Sequence, residues 1–152
     1  MRKILLCGFC FVLAVCIISC KKNGPEKNVS KMDVQQSSAG IDLDLSSMNY
    51  TMLSSIVFDV MVAPEKYANK RIKVSGNYYT SVYEEHRYFS VLNWDATGCC
   101  PAGFDFIPKP EMNFPEDFPK DDEKIIVTGT LKYADEARDS LLFYAEEIKS
   151  VE

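Results

Sequence analysis

Two cysteines stand side by side in the stretch Trp94-Asp-Ala-Thr-Gly-Cys-Cys-Pro-Ala-Gly-Phe-Asp-Phe106. Thiolates are nucleophiles, redox centres and soft metal ligands, so Cys99 and Cys100 are where chemistry is to be sought first. In a regular strand, neighbouring side chains point to opposite faces and cannot share an ion. Gly98 before them and Pro101 after them predict a turn instead, in which the sulfurs converge. A bond between the two would be strained, because adjacent Cα atoms lie ~3.8 Å apart while ordinary disulfides want ~4.4–6.8 Å. Such a bond is labile rather than structural. A metal would need further donors, and Asp95 and His86, the lone histidine, are the candidates. Cys99 and Cys100 form no Cys-x-x-Cys spacing, and two sulfurs suit a soft ion such as Cu(I) better than a hard one. Three readings therefore stand open: a vicinal disulfide, a soft-metal or redox site, and plain packing. Asp95 also has a simpler role, accepting backbone N–H groups to fix the turn.

Nothing else in the chain assembles a catalytic signature. There is no Ser-His-Asp set, P-loop or His-Glu-x-x-His, and no recognisable carboxylate pair. The expectation is a protein that is not an enzyme. A second candidate site is aromatic. Tyr79, Tyr88 and Trp94 lie on neighbouring strands and offer a ligand face of the kind that OB-type barrels use. The acidic run Asp121-Asp122-Glu123 reads as a solvated turn rather than a cation trap.

The elements that must position these residues follow from periodicity. Ser54–Ala63 has helical spacing, with Ile56, Val57, Val60 and Met61 on the apolar side, Ser54 or Ser55 as cap and Pro64 as stop. Alternation predicts strands at 71–80, 86–94, 103–108 and 124–133, and a last one at 141–151 whose Leu-Leu-Phe-Tyr start also reads as helix. Ile72-x-Val74-Ser75-Gly76 and Ile125-x-Val127-Thr128-Gly129 repeat one pattern, with a glycine where a strand would bend, bulge or meet another backbone. One helix, five short strands and these two glycines predict a mainly β, five-stranded OB-like Greek-key barrel, closed by its first and fourth strands. Pro108, Pro110, Pro115 and Pro119 forbid the helix usual between the third and fourth strands. An extended loop is expected there, tacked to the barrel by Phe114 and Phe118.

The address comes from the first 20 residues. Arg2 and Lys3 precede an apolar run from Ile4 to Ser19, too short for an ordinary membrane span and laid out as a secretory signal. Its end, Ile17-Ile18-Ser19-Cys20, resembles a bacterial lipobox. That resemblance implies cleavage after residue 19 and a diacylglycerol thioether on Cys20. The expected organisation is a signal peptide at 1–19, a lipidated cysteine and flexible linker at 20–47, and one domain at 48–152. Cys7, Cys10 and Cys16 leave with the signal, so Cys99 and Cys100 become the remaining free thiols. Removal of Arg2 and Lys3 takes the formal charge from −5 to −7. Such acidity argues against nucleic acid or an anionic lipid surface as a partner, because both need clustered positive charge. The expected partners are the membrane, through the lipid, and an envelope protein or small ligand; the expected location is the cell membrane or outer membrane, facing the periplasm or exterior.

Several marks resemble an uncharacterised family of small bacterial extracytoplasmic lipoproteins. They are Asn49-Tyr50-Thr51-Met52, Pro64-Glu65-x-Tyr67-x-x-Lys70, Asp95-Ala96-Thr97-x-Cys99-Cys100 and Phe114-Pro115-x-Asp117-x-Pro119. The cysteine mark is more weakly similar to the barrel-like extracytoplasmic part of a group of permease subunits. The resemblance implies an OB-like fold and an envelope address, and it supplies no activity.

Overall fold

The computed structural model describes residues 40–134 and 139–151. The expected signal peptide, the lipidation site Cys20 and the linker up to residue 39 lie outside the described residues. The elements run β1 (Leu43–Asp44), α1 (Tyr50–Val62), a 3-10 turn (Pro64–Lys66), β2 (Arg71–Tyr83), β3 (His86–Trp94), β4 (Pro101–Ile107), β5 (Lys124–Tyr133) and β6 (Leu141–Ser150). The segment at 141–151 is thus a strand, because Phe143 and Ala145 alternate inward against the barrel.

The strands β2, β3, β4, β6 and β5 pair in that order, and β2 pairs again with β5, so the sheet closes. All pairs in the closed sheet are antiparallel except β4 with β6. This is the OB-like barrel expected from the sequence, closed by its first and fourth strands. The two repeated segments lie directly against each other, antiparallel about the pair Val74 and Val127. β2 bonds β5 over residues 71–77 and β3 over residues 77–83, so it changes partner beside Gly76. A side chain at 76 would put its Cβ 2.7 Å from the Leu92 carbonyl oxygen, and the register against β6 shifts between Thr128 and Gly129. Both glycines therefore stand where backbones crowd, as the sequence implied.

Ile72, Val74, Tyr78, Val91, Ile125 and Val127 are fully buried and form the centre of the core. α1 plugs it with Leu53, Ile56 and Val60, packing chiefly on β4. The helix begins four residues before the expected Ser54. Asn49 caps it, its Oδ1 accepting from the Met52 N–H at 3.0 Å. Ser54 and Ser55 instead sit inside the helix and donate to the Thr51 carbonyl at 3.0 and 2.9 Å, a common outlet for hydroxyls at interior positions. The expected apolar side shifts with the start: Leu53 replaces Met61, which is exposed.

The folded domain also begins before the expected residue 48. Leu43 and Leu45 are buried, and β1 pairs parallel with β2 at Ile72 and Lys73. Ile41-Asp-Leu-Asp-Leu45 alternates with period two, so it was a strand signal hidden in a polar context.

The proline-rich connection after β4 closes one end of the barrel. Phe118 stacks on Phe89 with ring centroids 4.6 Å apart, and Phe114 meets the same ring at 5.9 Å. Phe118 also covers Tyr78, whose hydroxyl is buried without a hydrogen-bond partner among the described residues. Burial, with Asp121 adding to it, pushes the Tyr78 phenol up to about 12. An unpaired buried hydroxyl costs about 1–3 kcal/mol. Tyr78→Phe should therefore leave the melting temperature unchanged or raise it. A fall of more than a few degrees in thermal melts would show that the hydroxyl has a partner in solution.

Carboxylates tie the strands at the surface. Glu146 on β6 accepts from Arg71 Nε at 2.7 Å and from Thr130 Oγ1 at 2.6 Å, joining β2, β5 and β6. The Thr130 hydroxyl first, and Arg71 with it, hold the Glu146 carboxyl below its ordinary value of 4.5. A carboxylate depressed in the fold gives stability that is complete above the unfolded pKa and lost as pH falls through the folded one. The melting temperature should hold above pH 4.5 and drop as the pH is lowered further. Glu146→Gln should make that decline shallower; an unchanged slope would remove Glu146 as a contributor.

Candidate functional site

The Cys99–Cys100 segment is the six-residue connection between β3 and β4, held at its mouth by the Trp94–Pro101 pair. Gly98 takes φ +69°, and its N–H bonds the Asp95 carbonyl at 3.0 Å. Glycine adopts that left-handed conformation without the strain a Cβ brings. Asp95 then organises the turn as expected. Its Oδ1 accepts from the backbone N–H of Cys99 at 2.9 Å and of Cys100 at 3.4 Å.

The turn brings the sulfurs together. Cys99 Sγ and Cys100 Sγ are 3.2 Å apart, both cysteines are exposed, and both are free thiols. The Cys99 sulfur lies 3.6 Å from Asp95 Oδ2. One donor atom from each of Asp95, Cys99 and Cys100 falls within 4.8 Å of the others. The Thr97 hydroxyl sits 2.7 Å from Asp95 Oδ2 and 3.1 Å from Cys99 Sγ, and its single hydrogen serves one of them at a time.

These contacts make the two thiols unequal. The Thr97 hydroxyl, and after it the Cys100 thiol, favour the Cys99 thiolate and lower its pKa. Cys100 is raised, chiefly because its hydrogen is held by the Cys99 sulfur, and the Asp95 charge adds to this. The Asp95 carboxyl is lowered, first by Thr97 and then by the backbone N–H groups of the turn. The first proton of the pair is therefore easier to remove than that of an ordinary cysteine, and the second harder.

Tyr50 was missed as a neighbour of this turn. Desolvation first, then the negative charges of Asp95, Cys100 and Cys99, raise its phenol above the ordinary 10.0. Tyr50 opens α1, so the helix start lies within reach of the charge of the cysteine turn although the two are far apart in sequence. The only signal in the chain was Asn49-Tyr50, read there as part of a family mark.

His86 does not join the cluster. It begins β3 while Trp94 ends it, and eight strand steps at ~3.3 Å separate the two by roughly 26 Å. Its Nδ1 lies 2.8 Å from the Glu84 carbonyl in the exposed hairpin.

The three aromatic residues do share the outer face of β2 and β3, with Tyr79 opposite Ser90 and Tyr88 opposite Ser81. Their polar atoms divide them. Trp94 Nε1 donates to the Tyr79 hydroxyl at 3.0 Å, and that hydroxyl donates to Asp122 Oδ1 at 2.6 Å. The Trp94 and Tyr79 rings meet edge to face. Asp121 accepts from the Thr80 N–H at 3.1 Å. This pair and the acidic run thus pin the proline-rich loop to β2. Tyr88 stands apart, lining a groove of about 330 Å³ with Ile107, Pro108, Leu142 and Arg87. The Arg87 guanidinium lies 4.0 Å above the Phe114 ring and donates to Thr80 Oγ1.

Among the described residues no helix is long and apolar enough to cross a membrane. Comparison of the chain with models of protein families and with curated proteins finds no match.

Proposed function

We propose that the protein is a lipid-anchored, extracytoplasmic, non-enzymatic binding module whose working site is the Cys99–Cys100 turn, and that it takes a soft metal ion there. One observation carries the reading: two exposed thiols 3.2 Å apart with the Asp95 carboxylate beside them. Two thiolates on one ion at Zn–S-like lengths of ~2.3 Å and a tetrahedral angle stand ~3.8 Å apart, so the sulfurs need open by only about half an ångström. Asp95 is a third donor, already turned toward the sulfurs by its bonds to the turn. Three donors from one exposed turn leave a coordination position facing water, which suits an ion that is taken up and handed on rather than a closed structural site. The anchor rests on Arg2, Lys3, the apolar run and Ile17-Ile18-Ser19-Cys20.

The test is titration of the reduced full chain with Cu(I) or Cd(II), read by thiolate-to-metal absorption and elemental analysis. One ion per chain is expected, with both thiols protected from alkylation. No absorption and unprotected thiols would overturn it. A mass loss of two hydrogens under mild oxidant, with no ion bound when reduced, would assign the pair to thiol redox chemistry instead. The groove beside Tyr88 favours a second reading, binding of a small apolar ligand. Leu142→Asp should then abolish binding of an apolar fluorescent probe without affecting the ion, and an unchanged probe signal would remove it.

A further inference from the structure

The spacing of the two sulfurs discriminates among soft elements. At the ~2.3 Å usual for a thiolate on a metal, sulfurs 3.2 Å apart subtend about 88° at a shared atom. A linear two-coordinate ion would hold them ~4.6 Å apart, and a tetrahedral one ~3.8 Å. An angle close to a right angle belongs to an atom that bonds through its p orbitals and keeps a lone pair, so that its three bonds form a pyramid. Trivalent arsenic is a soft element of that geometry, with bonds to sulfur of about this length.

The turn is built to hold the spacing. Asp95 Oδ1 accepts from the backbone N–H groups of both cysteines, which anchors the two residues together. Thr97 Oγ1 stands 3.1 Å from the Cys99 sulfur on its other side. The donor set agrees with a pyramid. Asp95, Cys99 and Cys100 form the one such cluster among the described residues, and a tetrahedral ion would find no fourth protein ligand in it. A pyramidal atom needs two sulfurs and a hydroxide that it brings itself. On this exposed turn the hydroxide would face water, with Asp95 Oδ2, 3.6 Å from the Cys99 sulfur, at hand to accept its hydrogen. Charge points the same way. Cu(I) on two thiolates is an anion set beside the Asp95 carboxylate, and like charges repel there. Arsenic carrying two thiolates and one hydroxide is neutral.

We propose that the ligand of the Cys99–Cys100 turn is trivalent arsenic, taken up as its neutral hydroxide. The inference rests on the soft-ion reading of the turn and narrows it. The step is a condensation in which each sulfur attacks arsenic as a nucleophile. Two S–H and two As–O bonds break, two As–S and two O–H bonds form, and the thiol hydrogens leave in two molecules of water. Arsenic stays trivalent and the sulfurs are not oxidised, so the step needs no oxidant or reductant. Asp95 serves the adduct as a hydrogen-bond acceptor and fixes the turn.

The experiment uses the full chain in detergent with Cys7→Ser, Cys10→Ser, Cys16→Ser and Cys20→Ser, which leaves the pair as its only thiols. The reduced protein is titrated with sodium arsenite and, separately, with Cd(II). Intact mass and thiol alkylation read the result. One arsenic per chain is expected, with a mass gain of one AsOH group less two hydrogens and with both thiols blocked. Adding Cys100→Ser should abolish the adduct. The folded chain should bind arsenite at least tenfold more tightly than the same chain in guanidinium chloride, where the spacing held by the turn is lost. Equal affinity in the two states would overturn the proposal, because the geometry would then select nothing. Binding of Cd(II) without binding of arsenite would overturn it and leave the soft-ion reading standing. Binding of neither would sink both.

Discussion

Gly129→Ala should lower the melting temperature by more than ten degrees or prevent folding. A Cβ at 129 would lie 2.1 Å from the Tyr144 carbonyl oxygen and 2.8 Å from the Phe143 ring. The Phe143 ring is fully buried, and the carbonyl belongs to the β6 backbone, so neither can swing aside. Relief requires β5 and β6 to separate at the bulge, next to the seam where β5 also closes on β2. Overpacking in a rigid core costs about 1–3 kcal/mol and more when backbone must move. At ~4–8 °C per kcal/mol for a domain of this size, a cost near 3 kcal/mol gives the stated fall. Gly98→Ala is the counterpart. Its Cβ meets nothing within 4 Å, so only the φ of +69° opposes it, at about 1 kcal/mol. Chemical unfolding of both variants checks the contrast. Equal, small effects would mean that the barrel tolerates a side chain at this crowded seam.

The second large effect belongs to the turn. Cys99→Ser and Cys100→Ser should each weaken soft-ion binding at least a hundredfold, because one thiolate and one carboxylate no longer form a soft chelate. Neither should move the melting temperature by more than a degree or two, since both cysteines are exposed and outside the core. Asp95 should behave differently. Asp95→Asn keeps an oxygen able to accept the Cys99 and Cys100 N–H groups, so the turn persists while the anionic donor is lost. Asp95→Ala loses both. Outer partners that merely orient ligands are commonly worth 10–100-fold in affinity. Competition titration against a chelator of known strength separates the cases. If the asparagine variant binds as wild type does and the alanine variant does not, Asp95 is a positioning residue; if both fail, it is a ligand.

Much of the barrel was legible because it is written in period two. The repeat ending in Gly76 and Gly129 announced both its strands and the points where their backbones crowd. Phe114 and Phe118 were readable as the tacks of the proline-rich loop because they are its only aromatic residues. The helix start was misplaced because Ser54 and Ser55 are good caps in isolation. Asn49 lies one residue before the helix begins, and packing of Leu53 on the core extends it that far. β1 was hidden for a related reason: two residues of strand make sense only when β2 is there to receive them.

By itself the sequence determined that the cysteines sit in a glycine-assisted turn and that Asp95 holds it. Both follow from local rules, a left-handed glycine and an aspartate short enough to reach the next N–H groups. Only the tertiary structure decided which residues share the site. Strand β3 carries His86 away from the turn, while the fold brings Tyr50 to it. It likewise turned Tyr79 and Trp94 into a strut on Asp122 and left Tyr88 at a groove. It also exposed Phe58, Met61 and Val62, since an apolar residue on a helix reads the same in sequence whether core or solvent lies beyond it. Distance along a chain constrains contacts only within a few residues, and beyond that the closure of the barrel sets every neighbour.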